Sequence, residues 1–266
     1  MYAVDYHRAA SLQDAESVLA NHAEGMILAG GQTLLGSLKL RLAQPEILID
    51  LGAIPELRGI EVAADGTVAV GAMTRHAQVA ASPEVQRAIP SLASLAGHIG
   101  DPQVRNCGTI GGSLANNDPA ADYPAAVLGL GATVVTQRRE IAADDFFLGM
   151  FETALQEGEI IKKVVFPAPR RSAYVKFKHP ASRFAIVGVL VADTAQGIRV
   201  AVTGAGPVVF RATAIEQALS QRFDPEALAD IHLDDAELNN DLHATAAYRA
   251  NLATVLAQRA VQAVLA

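Results

Sequence analysis

The chain has 266 residues, 51% of them hydrophobic and 18% charged, and 21 Lys+Arg against 28 Asp+Glu give a formal charge of −7. This is the composition of a folded, mildly acidic protein of about two domains at roughly 150 residues each, and its lack of a basic run or any tryptophan argues against nucleic-acid binding as the main task. The single cysteine, Cys107, excludes an internal disulfide framework, a four-thiolate iron–sulfur cluster and a Cys-rich zinc site within this chain.

The start, Met1-Tyr-Ala-Val-Asp-Tyr-His-Arg8, has no basic region followed by an apolar run, so a cytoplasmic location is expected. Ser11-Leu-Gln-Asp14 reads as a helix start, with the hydroxyl capping free amides and Ala15, Val18 and Leu19 at helical spacing up to about Asn21. Met26–Ala29 is a short apolar run closed by Gly30-Gly31, which predicts a buried strand entering a tight turn. Ile47–Leu51 and Val68–Val70 predict two further strands, the latter after a hairpin turn at Asp65-Gly66. The first seventy residues thus read as small strands around one helix. From Thr74 to Ile99 the pattern turns Ala-rich and helical, with Ser82 capping a helix that carries Pro83 at its first position. The longest stretch without a charge, Tyr123–Gln137, is broken by Pro124, Gly129 and Gly131, so no segment reaches the roughly 20 apolar residues of a membrane span. Val134-Val135 and Ile160–Phe166 predict strands again.

Two prolines and two arginines between Pro167 and Arg171 mark a domain boundary. Beyond it, Tyr174–Lys178, Phe184–Ala192 and Ile198–Thr203 predict an antiparallel sheet. Ala212–Leu219 and Ala244–Leu265 predict amphipathic helices, the last with Arg249 and Arg259 on its polar face.

Two segments are too rich in glycine and small polar residues for ordinary connections: Leu28-Ala-Gly-Gly-Gln-Thr-Leu-Leu-Gly36 and Asn106-Cys-Gly-Thr-Ile-Gly-Gly-Ser-Leu-Ala-Asn-Asn117. Adjacent glycines let successive N–H groups turn to one side, and a missing Cβ admits a ligand closely, so such a concavity suits a phosphate. Thr33, Thr109 and Ser113 add hydroxyls, and two such loops together suit the two halves of a pyrophosphate. Either loop alone also reads as a tight turn. A Walker loop is missing, because Gly31-x₄-Gly36 is followed by Ser37-Leu38 with Lys39 displaced. The dinucleotide pattern G-x-G-x-x-G fails at Gly204 and at Gly129, which disfavours a Rossmann domain. Gly111-Gly-Ser113-Leu-Ala115 approaches a nucleophile elbow but lacks its final glycine, and sequence alone provides no triad geometry for His98 and Asp122.

Ala29–Leu35, Lys39-Leu-Arg41, Gln44-Pro45, Ile49-Asp50-Leu51 and Gly71-Ala-Met-Thr74 resemble the FAD-binding medium subunits of molybdenum hydroxylases, the family of carbon monoxide dehydrogenase and xanthine dehydrogenase. Asp101–Asp122 is the most specific part of that resemblance, and Phe146–Gly149, Gly158-Glu-Ile160 and Tyr174–Lys178 continue it in order over almost the whole chain.

The resemblance implies an α+β architecture: a two-subdomain FAD-binding fold of the vanillyl-alcohol-oxidase (PCMH) type in residues 1–170, divided at about 55, then a C-terminal domain of small antiparallel sheet and helices in 171–266. It implies that Leu28, Ala29, Gly30, Gly31, Gln32 and Thr33 form one side of the FAD pyrophosphate site and Thr109, Gly112 and Ser113 the other. Asp122 would accept hydrogen bonds from FAD hydroxyls, although its position before Tyr123-Pro124 also suits a helix cap. Ile99 and Ile161 would be apolar FAD contacts. Lys178 matches the lysine that approaches the isoalloxazine ring, where an ammonium favours the reduced, negatively charged flavin; in a strand it also reads as a surface lysine. Two positions depart from the family pattern, Ser113 where many relatives carry Asn or Asp and Cys107 where some carry Arg. The implied role is electron transfer. A small partner subunit with two [2Fe–2S] clusters would supply single electrons, a large subunit with molybdenum cofactor would oxidise the substrate, and FAD would deliver pairs to an external acceptor. The chain and its two partners would form a heterotrimer, single or doubled. A stand-alone flavin-dependent oxidoreductase is the alternative reading.

Overall fold

The computed structural model describes residues 1–266. Strand β1 (Asp5–Arg8), helix α1 (Leu12–Asn21), strand β2 (Met26–Leu28), helix α2 (Leu34–Lys39) and strand β3 (Ile47–Asp50) build a three-stranded parallel sheet in the order β1-β3-β2. Parallel strands cannot be joined by a tight turn, and α1 is the crossover that returns the chain. Ser11 Oγ accepts from the Asp14 amide at 3.1 Å, as the capping pattern predicts. The apolar faces of α1 and β3 close a small core that includes Ala15, Ile49 and Leu51. β1 and α2 have no apolar run of their own and were not legible in the sequence.

A five-stranded antiparallel sheet follows. Its hairpin of β4 (Ile60–Val62) and β5 (Val68–Gly71) turns at Gly66, whose φ of +84° favours glycine. The Ala-rich stretch divides into α3 (His76–Ala81), α4 (Pro83–Ala88) and α5 (Pro90–Gly97), because a proline lacks the amide to continue a helix and each one starts a new helix instead. Ser82 Oγ accepts from the Val85 amide at 3.2 Å. Next come α6 (Pro102–Cys107), α7 (Ile110–Asn116) and α8 (Tyr123–Leu130), the last buried along its whole length. Strands β6 (Thr133–Thr136) and β7 (Glu140–Ala142), helix α9 (Ala143–Phe146), the β8 (Phe147–Gly149) and β9 (Glu152–Thr153) hairpin, and β10 (Ile161–Phe166) complete this part. The strand order is β4-β5-β10-β6-β7, which places β10 at the centre.

The last part is an antiparallel sheet of β11 (Arg171–Lys178), β12 (Ala185–Thr194), β13 (Gly197–Thr203) and β14 (Phe210–Arg211), covered by α10 (Thr213–Gln221) and α11 (Ala246–Leu265). Val187, Val189 and Val191 face these helices, while Leu190 and Ala192 join the core of the preceding part. Burial on both faces explains why β12 is apolar without alternation. Arg249 does not lie on a polar face of α11 as expected. It is buried, donates to the Ile186 and Gly204 carbonyls at 2.7 and 3.0 Å and pairs with Asp241 at 2.8 Å, so its charge and most of its donors are satisfied inside. Arg259 is exposed. No helix is long and apolar enough to cross a membrane.

Candidate cofactor cleft

A cleft of about 620 Å³ opens beyond the carboxyl ends of β2 and β3, where ligands of open parallel sheets commonly bind. Its walls come from the parts built on the three larger sheets: the turn after β2, the segments around α6 and α7, the Gly158–Ile161 corner leading into β10, and Ser182–Phe184 of the β11–β12 connection.

The two glycine-rich segments meet. A Cβ built on Gly30 would lie 2.5 Å from the Cys107 carbonyl oxygen and 2.7 Å from Gly108 Cα, and one on Gly112 would lie 3.1 Å from Ala29 Cβ. Glycine is therefore required at Gly30 for the contact itself, and Gly31 has a φ of +70°. The backbone N–H groups of Gly30, Gly31, Gln32 and Thr33 donate to no acceptor in the protein. Four successive unpaired donors at the rim of a cleft are groups of the kind that suit an anion.

The second segment differs from expectation in its amides. Ile110 and Gly111 donate to the Thr74 and Ala72 carbonyls at 3.2 and 2.8 Å, and His76 donates to the Gly108 carbonyl at 3.0 Å, so this stretch is fixed like a strand against residues 72–76. It then enters α7, where Thr109 Oγ1 accepts from the Gly112 amide at 3.2 Å and the Thr109 carbonyl from Ser113 at 3.0 Å. Of residues 109–113 only Thr109 keeps an unpaired amide. The second segment thus offers a glycine surface and the Ser113 hydroxyl rather than a second row of amides.

Two polar clusters stiffen the walls. Asp122 is buried; Tyr174 Oη donates to it at 2.5 Å and Lys176 Nζ at 2.9 Å. Burial pushes the Asp122 carboxyl above its ordinary range, opposed by the Lys176 ammonium and the Tyr174 hydroxyl. Glu159 accepts a bidentate pair from Arg139 at 3.0 Å, with Thr136 Oγ1 and the Gln156 amide at 2.8 Å. Those bonds, the Arg139 pair foremost, hold its carboxyl down to about 2 and lock the corner that presents Ile160 and Ile161 to the cleft. His76 also lines the cleft. Its ring tilts against Tyr123 at 5.3 Å, its Nδ1 has no partner, and desolvation lowers its pKa to about 4, with Arg105 adding to the effect, so it is neutral at pH 7.

Of the residues expected at the site, Ala29, Gly30, Gly31, Gln32, Thr33, Ile99, Thr109, Gly112, Ser113, Asp122 and Ile161 all line this cleft. Leu28 and Lys178 do not. Leu28 is paired in β2 and packs behind Gly31. Lys178 is exposed at the end of β11, where the register shifts between Phe177 and Lys178, and the lysine buried at the wall is Lys176. Asp122 stands at the N-cap position of α8 but makes no side-chain cap bond. Sequence reasoning missed His76 and Phe184, neither of which belongs to a glycine-rich signal.

Residues 2–169 match the FAD binding domain in molybdopterin dehydrogenase, and residues 172–264 match the CO dehydrogenase flavoprotein C-terminal domain. The chain is 38% identical to the carbon monoxide dehydrogenase medium chain of Hydrogenophaga pseudoflava, covering 97% of this chain and 96% of that one. It is 36% identical to the nicotine 6-hydroxylase medium subunit of Paenarthrobacter nicotinovorans, again over 97% and 96%. A chain of the reconstituted CO dehydrogenase from Oligotropha carboxidovorans superposes with a TM-score of 0.90 at 31% identity, covering 99% of this chain and 98% of that chain. With its PCMH-type fold and its FAD-binding domain, the chain belongs to the FAD-binding medium subunits of the molybdenum hydroxylases, oxidoreductase components of multi-subunit enzymes.

Proposed function

We propose that this chain is the electron-transfer subunit of a heteromeric molybdenum hydroxylase in the cytoplasm. It takes single electrons from [2Fe–2S] clusters on a small partner and passes them in pairs to an external acceptor, while a large molybdenum-cofactor partner oxidises the substrate. The observation that carries this reading is the row of unpaired amides from Gly30 to Thr33 packed against the Cys107–Gly112 segment in one cleft. FAD, when bound, supplies the exchange between one-electron and two-electron chemistry.

The chain's own residues bind and orient. Gly30, Gly31, Gln32 and Thr33 offer amide hydrogens to the diphosphate, with Ala29 and Leu28 forming the turn behind them. Thr109, Gly112 and Ser113 close the opposite side. Asp122 accepts from cofactor hydroxyls and Ile99 and Ile161 cover ring surfaces, while Lys178, exposed outside the cleft at the end of β11, acts on the isoalloxazine only through solvent. Residues 1–55 and 56–170 act as the two halves of the FAD domain, with 171–266 closing the cleft. The single cysteine cannot ligate a four-thiolate cluster, which supports the reading that the clusters belong to another polypeptide.

The test is to express the chain with and without the proteins encoded beside it. The expected result is a yellow full-length chain that copurifies with an iron–sulfur subunit and a molybdenum subunit, and whose FAD is reduced by substrate only in the complex. Steady substrate turnover by the isolated chain would overturn the reading in favour of a stand-alone flavin enzyme.

A further inference from the structure

Tyr174 and Lys176 stand two residues apart on β11 and reach from the C-terminal sheet to the start of α8, where both bond the Asp122 carboxylate. The Lys176 and Asp122 side chains are 4% and 3% exposed, and Lys176 Nζ also donates to the His98 carbonyl at 3.0 Å. Helix α8 does not use the carboxylate, since Asp122 makes no cap bond to it. Stability alone does not favour such a pair either, because two desolvated charges commonly do no better than apolar side chains of the same size. The pair lies in the wall of the cleft.

We propose that Lys176 is a positioning residue for the cofactor site: through its contact with Asp122 it keeps that carboxylate ionised and turned so that its remaining lone pairs face the cleft. The inference rests on the reading that Asp122 meets cofactor hydroxyls. A carboxylate has about four acceptor directions; Tyr174 takes one on Oδ1, and Lys176 Nζ bonds Oδ2 while lying 2.9 Å from Oδ1 as well, which leaves directions free. Those left are good acceptors only while the group is charged. The other titratable groups around Asp122 are Tyr174 on β11, His98 at the end of α5 and Tyr123 on α8, with His76 packed on Tyr123. Lys176 is the one among them that brings an ammonium within 2.9 Å of the carboxylate. Without it, burial drives Asp122 towards the protonated acid, which donates where the cofactor's hydroxyls need an acceptor.

The experiment uses the full-length chain stripped of FAD and titrated with FAD between pH 7 and 9, following flavin fluorescence and heat. The wild-type Kd is expected to be nearly flat. Lys176→Met is expected to bind about tenfold more weakly at pH 7 and to recover most of that by pH 9, while Lys176→Arg stays within about threefold of wild type. A Lys176→Met chain that melts earlier but keeps a wild-type, pH-independent Kd overturns the proposal. Asp122→Asn separates the two readings. If it binds FAD like wild type, the assignment of Asp122 to the cofactor fails. If it binds weakly while Lys176→Met does not, that assignment stands and the role of Lys176 fails. Should Lys176→Met not fold, the neutral pair Lys176→Met with Asp122→Asn removes the uncompensated charge. It is expected to bind as weakly as Asp122→Asn at every pH, and a pH-dependent Kd in that double variant overturns the proposal.

Discussion

Gly30 lies directly on the Cys107 carbonyl: a Cβ added at Gly30 would stand 2.5 Å from that oxygen, closer than real contacts allow. The neighbour is backbone, so it cannot rotate away as a side chain would. Gly30→Ala is therefore expected to push the two segments of the cleft apart and to weaken FAD binding by at least about tenfold. The fold should persist, because the contact is at the rim and not in any of the three cores. Isothermal titration with FAD and far-UV circular dichroism on the same sample check both halves. Unchanged affinity would remove the turn from the site.

Asn117 and Phe151 are both left-handed, with φ of 42° and 57°, and each anchors the other's segment. The Phe151 amide donates to the Asn117 carbonyl at 3.1 Å, and Asn117 Nδ2 donates to the Gly149 and Glu152 carbonyls at 2.8 Å. The Asn117 amide thus bonds the β8–β9 hairpin to the end of α7, next to Asn116 and Asp118 in the cleft wall. Asn117→Ala leaves two carbonyls without this donor and puts a less tolerant residue in the left-handed region, a loss of about 2–4 kcal/mol. Chemical denaturation should show it as a lower midpoint with an unchanged slope. A midpoint within error of wild type would contradict this account of the hairpin.

His76 makes acid stability depend on one buried ring. Its folded pKa of about 4 lies below the ordinary value of 6.5, so the unfolded chain takes up a proton that the folded chain refuses. Stability is fully present above about pH 6.5, falls as the pH drops towards 4, and levels off below, a total of about 3 kcal/mol from this group. His76→Gln is expected to flatten that part of the profile in urea denaturation measured from pH 7 to 4. A wild-type slope in the variant would assign the loss to other groups.

Much of this was legible in the sequence. A buried strand such as Ile47–Asp50 announces itself as an apolar run, and Ser11 and Ser82 mark helix starts through local chemistry that tertiary contacts did not override. The meeting of the two glycine-rich segments was legible as well, because no ordinary connection needs so many residues without a Cβ. What stayed hidden depends on distant partners. Ile110–Asn116 carries two glycines and reads as a loop, but Gly111 fits under Ala72, where a Cβ would lie 2.6 Å from the alanine Cβ, and that packing favours helix. Arg249 has the spacing of a polar-face residue and is buried only because the Ile186 and Gly204 carbonyls, far away in sequence, accept from it. Lys176 and Lys178 stand two apart on one strand, where the pleat alone puts both on one face; the register shift between Phe177 and Lys178 and the Asp122 carboxylate opposite Lys176 separate them.

Lys178 carries the remaining prediction. Its side chain is exposed and makes no ion pair, yet the next residues form the turn whose Ser182, Arg183 and Phe184 close the cleft. A charge in that position acts on the flavin through solvent, where a surface interaction is worth up to about 1 kcal/mol. For a two-electron couple about 30 mV corresponds to about 1.4 kcal/mol. Lys178→Ala is therefore expected to lower the potential of bound FAD by only about 10–20 mV and to leave its affinity within about twofold. Dye-coupled redox titration of the full chain at low and high salt measures this, and the shift should shrink as salt screens the charge. An unchanged potential at low salt would remove Lys178 from the cofactor's surroundings, whereas a salt-independent drop several times larger would mean that its ammonium sits inside the cleft when FAD is bound.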